Sequence, residues 1–118
     1  MKEADALARF AAHLDGEGWE VPPTPRGDFP DVDARHRETG ARLVAEVKGH
    51  TSAPGLDTDT AYGQLLRRMG TDPEPATRYA LVVPDALRWH VERVPAHVRR
   101  TLRVEVWLVP DDGPPYAL

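Results

Sequence analysis

The stretch Arg42–Lys48 alternates in a way that suits a half-buried β-strand. Leu43, Ala45 and Val47 fall on one face, and Val44, Glu46 and Lys48 fall on the other. Phe29–Arg35 alternates likewise, with Phe29, Asp31, Asp33 and Arg35 on one side and Val32 and Ala34 on the other. Arg37-Glu38-Thr39-Gly40 between them is a turn, so the two runs predict an antiparallel hairpin with one apolar and one charged face. Residues 3–15 read as a helix, with Leu7, Phe10, Ala11 and Leu14 as one apolar stripe, stopped by Gly16 and Gly18.

The remaining segments alternate helix and strand. Trp19-Glu20-Val21 reads as a short strand, ended by Pro22 and Pro23, and the stiff loop that follows runs to Gly27. Gly49 to Thr58 is polar and loop-like; Asp57 or Asp59 is expected to cap a helix to about Met69, burying Tyr62, Leu65, Leu66 and Met69. Thr71-Asp72-Pro73-Glu74-Pro75 is an exposed connection, and Arg78–Val83 a buried strand closed by Pro84. Asp85 caps a helix that Pro95 interrupts or restarts, and Val104–Val109 is the last strand. The order α-β-β-β-α-β-α-β predicts an α/β fold: a mixed sheet flanked by helices. The 118 residues suffice for a single domain, placed at 1–110, with 111–118 as a flexible C-terminal tail. Trp89 and Trp107 are assigned to the core, and Trp19 to the core or an interface.

Composition excludes several functions. There are no cysteines, hence no disulfide or thiolate metal site. No apolar run is long enough to cross a bilayer, and the charged start of the chain does not resemble a secretion signal, so a cytoplasmic location is expected and no membrane partner. His36, His50, His90 and His97 lack metal-pair spacing. The formal net charge is −4, so affinity for nucleic acid would be local and salt-dependent.

Chemistry concentrates on the hairpin. Of the fifteen basic residues only Lys2 and Lys48 are lysines, and Lys48 shares a strand face with Glu46. A carboxylate and an ammonium projecting together from a half-buried strand are costly to desolvate unless something uses them. If the register aligns Asp31 and Asp33 with Glu46 and Lys48, two or three carboxylates and one ammonium converge. Such carboxylates hold a hard cation or raise one another's pKa. With oxygen ligands alone, Mg²⁺ or Mn²⁺ is the natural ion. The plain alternative is a solvated sheet face.

Pro30-Asp31, followed after fourteen residues by Glu46-Val47-Lys48, resembles the PD-(D/E)xK motif of the restriction-endonuclease-like nucleases. The first helix and the following α-β-α-β order are similar to that family's core, so the resemblance covers residues 3–109. Among its members the chain is most similar to archaeal Holliday-junction resolvases and small restriction-type nucleases. The resemblance implies a Mg²⁺-dependent DNA endonuclease that leaves a 5′-phosphate, acting in defence, repair or recombination. Asp31 and Glu46, with the carbonyl of Val47, would bind the metal, and Lys48 would position or deprotonate the attacking water.

Supporting positions are Gln64, Glu3 and Asp33. Gln64 lies where related nucleases often carry a glutamine; the tyrosine that one branch has four residues later is replaced here by Arg68. Glu3 lies one turn before Leu7, where the family often adds a metal-side carboxylate, although the helix dipole alone favours an acid there. Asp33 is a spare carboxylate or a second ligand. Arg67, Arg68, Arg99 and Arg100 are candidates for nucleic-acid contact. A small acidic nuclease is expected to act on DNA as a homodimer or with a protein partner that supplies DNA affinity. The rival reading is a non-catalytic nucleic-acid-binding or assembly subunit on the same fold.

Overall fold

The computed structural model describes residues 1–70 and 74–118. These form a six-stranded sheet in the order β1-β2-β3-β4-β5-β6. The strands are β1 (Trp19–Glu20), β2 (Val32–His36), β3 (Arg42–Val47), β4 (Arg78–Pro84), β5 (Val104–Val109) and β6 (Tyr116–Ala117). The helices are α1 (Glu3–Gly16), α2 (Pro54–Met69), α3 (Arg88–Val91) and α4 (Ala96–Leu102), with a 3-10 turn at Asp85–Leu87. The β3–β4 and β4–β5 pairs are parallel and the others antiparallel, so the expected mixed α/β sheet is what forms.

Alternation along β3 sorts the core into two layers. Val32, Ala34, Leu43, Ala45 and Val47 pack with Ala6, Phe10 and Leu14 of α1. Val44, Leu81 and Val106 face the other way, against Ala61, Tyr62 and Leu65 of α2. Helices therefore cover both faces. Among the described residues no helix is long and apolar enough to cross a membrane.

Several boundaries differ from the sequence reading. β2 begins at Val32 rather than Phe29: Pro30 has no N–H for a ladder, Gly27 has φ +107°, and Phe29 is left 50% exposed. α2 starts at Pro54 instead of Asp57 or Asp59, because proline suits a first helical position whose N–H has no partner. Asp57 instead accepts the Thr51 hydroxyl. Leu66 lies on the outer side of α2, and Trp89 is 70% exposed under the Arg93 guanidinium rather than in the core. The connection expected at Thr71–Pro75 lies outside the described residues as far as Pro73.

The tail does not hang free. It turns at Gly113, buries Pro115 and adds β6 to β5, with the Leu118 N–H donating to the Val106 carbonyl at 2.9 Å. Arg9 of α1 donates to the carbonyls of Pro110 and Gly113, fixing the turn from the helix side.

Candidate active site

The hairpin register pairs Val32 with Ala45 and Asp33 with Val44, so Asp31 comes opposite Glu46. The β2–β3 ladder itself ends at Val32–Ala45, short of the Val47 N–H. The Asp31 carboxylate fills the gap: its Oδ2 accepts that N–H at 2.8 Å. The Thr24 hydroxyl donates to the Asp31 carbonyl at 2.7 Å, anchoring the incoming loop. Asp31 is thus held against the strand that carries Glu46.

Glu46 is only 4% exposed. Burial pushes its pKa above the ordinary glutamate value; the hydrogen bond from Arg68 opposes the shift, and the adjacent Asp31 charge adds to it. The Arg68 Nε donates to Glu46 Oε1 at 3.1 Å. The same guanidinium reaches the loop, with Nη2 2.9 Å from Asp28 Oδ1 and Nη1 3.2 Å from the Asp28 carbonyl. Neither the pairing of Arg68 with Glu46 nor the part of Asp28 was read from the sequence. The available signal was helical: Arg68 lies one turn beyond Gln64, on the flank of α2 that faces this end of β3.

Lys48 follows the last residue of β3, one pleat or roughly 7 Å beyond Glu46 along the chain. Its N–H donates to the Val82 carbonyl at 2.9 Å, continuing the parallel ladder with β4. The side chain is half-buried and makes no ion pair among the described residues. It lines a cleft of about 280 Å³ with Glu3, His50 and Asp57. Glu3 is exposed in the first turn of α1, so the structure brings it to Lys48 rather than to the Asp31–Glu46 pair. The two groups meet because Gly49 lies against the backbone of Lys2 and Glu3, and the His50 N–H donates to the Met1 carbonyl at 2.9 Å.

Asp33 is not brought to the other acids as a ligand. Arg42 occupies both its oxygens, through Nε and Nη2 at 2.8 Å each. Asp33 shares a face with Asp31 and Glu46 but lies opposite Val44, two residues along the ladder from both, where Arg42 reaches it first. Gln64 lines a cleft of about 310 Å³ with Asp28, Arg67 and Arg68. Its Oε1 is shielded from solvent and has no hydrogen-bond partner among the described residues. Arg67 is exposed on the rim of this cleft. Arg99 and Arg100 lie elsewhere, on α4 beside β5, with β4 between them and β3. The Arg99 Nη1 donates to the Val94 carbonyl at 2.6 Å and so closes the α3–α4 junction.

Among the described residues no group of three or more acids or histidines is arranged around one point. The oxygen donors present still suit a small hard ion. Mg²⁺ needs only one or two carboxylates, with water and substrate phosphate completing its shell. Asp31 keeps one oxygen beyond its bond to Val47, and Glu46 faces it from a buried position.

No protein-family model and no curated protein sequence matches the chain. Its structure is similar to the crystal structure of an XisH family protein from Nostoc punctiforme PCC 73102. The TM-score is 0.64 at 18% identity, over 89% of this chain and 90% of that one. At that identity the likeness establishes a shared fold.

Proposed function

We propose that the chain is a Mg²⁺- or Mn²⁺-dependent DNA endonuclease of the restriction-like kind that its motif resembles. One observation carries the reading. A buried glutamate and a strand-anchored aspartate meet at the end of β3, and a half-buried lysine with no ion pair among the described residues follows just past the strand. A solvated sheet face gives no reason to bury Glu46 at this depth beside another acid.

Asp31 and Glu46 would hold the ion, which would supply Lewis-acid polarisation of a phosphodiester oxygen. Lys48 donates to a non-bridging phosphate oxygen and neutralises charge as water attacks phosphorus. The new P–O bond forms as the bond to O3′ breaks, and the proton passes to the departing 3′ oxygen, leaving a 5′-phosphate.

The test is incubation of wild type, Lys48→Ala and Glu46→Gln with labelled linear, nicked and four-way DNA in Mn²⁺. Wild type should cut at least one substrate and both variants should lose about 10²-fold or more. Undiminished cleavage by Lys48→Ala would refute the assignment. A second reading, a non-catalytic binding or assembly subunit, draws support from the Arg68 guanidinium on Glu46, which neutralises the site without a metal. Under that reading Mn²⁺ titration gives no heat. DNA is the expected partner, and a second copy or another protein would supply affinity that a net charge of −4 does not.

A further inference from the structure

We propose that Arg68 is the resident counter-ion of the metal seat, and that metal loading displaces it and unfastens the 22–31 loop. The inference rests on the metal-site reading above and adds a coupled movement to it. Three nitrogens of one guanidinium are committed: Nε to Glu46, Nη2 to the Asp28 carboxylate and Nη1 to the Asp28 carbonyl. Arg68 therefore ties β3, α2 and the loop together at one point. The loop is otherwise poor in regular bonding, because Pro22, Pro23, Pro25 and Pro30 donate no N–H.

A divalent cation held by Asp31 and Glu46 would share the Glu46 carboxylate whose Oε1 Arg68 now occupies. Two cations a few ångströms apart at this depth repel, since low local polarisability screens them poorly. One must leave, and Arg68 has somewhere to go. Gln64, one helical turn earlier, lines the same cleft and presents a buried Oε1 without a partner among the described residues. An i, i+4 pair on a helix surface is within reach of a swung arginine. That orphaned acceptor becomes the second seat of the guanidinium, and Asp28 loses its tether as the metal arrives.

The experiment uses Mn²⁺ alone, without DNA. Amide hydrogen exchange over residues 26–29 is followed in wild type and Arg68→Gln, with calorimetric titration of the same samples. Wild type should exchange faster in this segment when Mn²⁺ is added. Arg68→Gln should exchange fast from the outset, respond little to the metal, and bind it roughly tenfold more tightly, the worth of one charge-assisted hydrogen bond. Mn²⁺ binding to wild type with unchanged exchange at 26–29 overturns the displacement and leaves the metal seat standing. No binding heat in either protein overturns the seat itself. The wild-type measurement decides the matter even if Arg68→Gln fails to fold.

Discussion

Gly49→Ala is the most searching perturbation of the strand end. A Cβ at position 49 would lie 2.2 Å from the Glu3 nitrogen, 2.7 Å from the Lys2 carbonyl carbon and 2.9 Å from the Glu3 Cα. All three atoms are backbone, so none can rotate aside. An ordinary contact is about 3.5 Å, so the start of α1 must retreat by more than ~1 Å. That movement strains the bond from the His50 N–H to the Met1 carbonyl and the seating of Ala6 and Phe10. Overpacking of this kind costs about 1–3 kcal/mol, and a lost hydrogen bond about 1 kcal/mol more. For a chain of this size, a loss of about 2–4 kcal/mol lowers the melting temperature by roughly 6–20 °C. Calorimetric melting of Gly49→Ala beside Gly16→Ala is the assay. Nothing lies within 4 Å of a Cβ at position 16, so the control should melt with wild type or slightly above it. If Gly49→Ala melts within about 1 °C of wild type, the close approach of α1 to the Lys48 loop is wrong.

Lys48→Ala should leave the heat of Mn²⁺ binding unchanged while cutting cleavage about 10²-fold or more, because the cleft Lys48 lines includes neither Asp31 nor Glu46; weakened metal binding would refute the division of roles. Glu46 has a pKa raised by burial, so the folded state holds its proton above pH 4.5, where the unfolded chain releases it. Its contribution to stability is thus fully present below that value and lost as pH rises through the native pKa. Melting of Glu46→Gln relative to wild type should accordingly improve as pH climbs from 4.5, and a flat difference across the series would count against the shift. Truncation after Asp111 removes β6, the buried Pro115 and one acceptor of Arg9. It should cost about 1–3 kcal/mol in a denaturant melt, whereas a free tail would cost nothing.

The hairpin was legible because its information is local. A period of two, a turn at 37–40 and the switch of apolar residues between faces give the hairpin and its charged face without knowledge of the rest of the chain, while the register that sets Asp31 opposite Glu46 comes from the structure. Lys48 and Glu3 were each singled out, but their meeting depends on the approach of Gly49 to α1, a tertiary contact with no periodic signature. Arg68 reaches Glu46 through the rotation of α2 against β3, a tertiary relation that the helix's own period does not carry. Hydrophobicity assigns Leu66 inward, yet a helix covering one sheet face has room for only one stripe, and Tyr62 and Leu65 fill it; Trp89, on the short α3, lies outside under the Arg93 guanidinium. The tail looked unstructured since Pro114 and Pro115 discourage a strand. Tyr116 and Ala117 pair nonetheless, because β5 receives them and Arg9 holds the turn before them at Pro110 and Gly113.

Both margins of the sheet end in very short strands, Trp19–Glu20 on one side and Tyr116–Ala117 on the other. A neighbouring polypeptide seeking to extend the ladder would find only a couple of main-chain rungs at either border, too few to recruit it firmly. Growth of the sheet from copy to copy is thereby discouraged, which shields the long parallel centre from runaway stacking. Edge-to-edge extension is thus limited to a couple of rungs at either border, while the buried carboxylate of Glu46 lies on β3, two strands in from the Trp19–Glu20 margin.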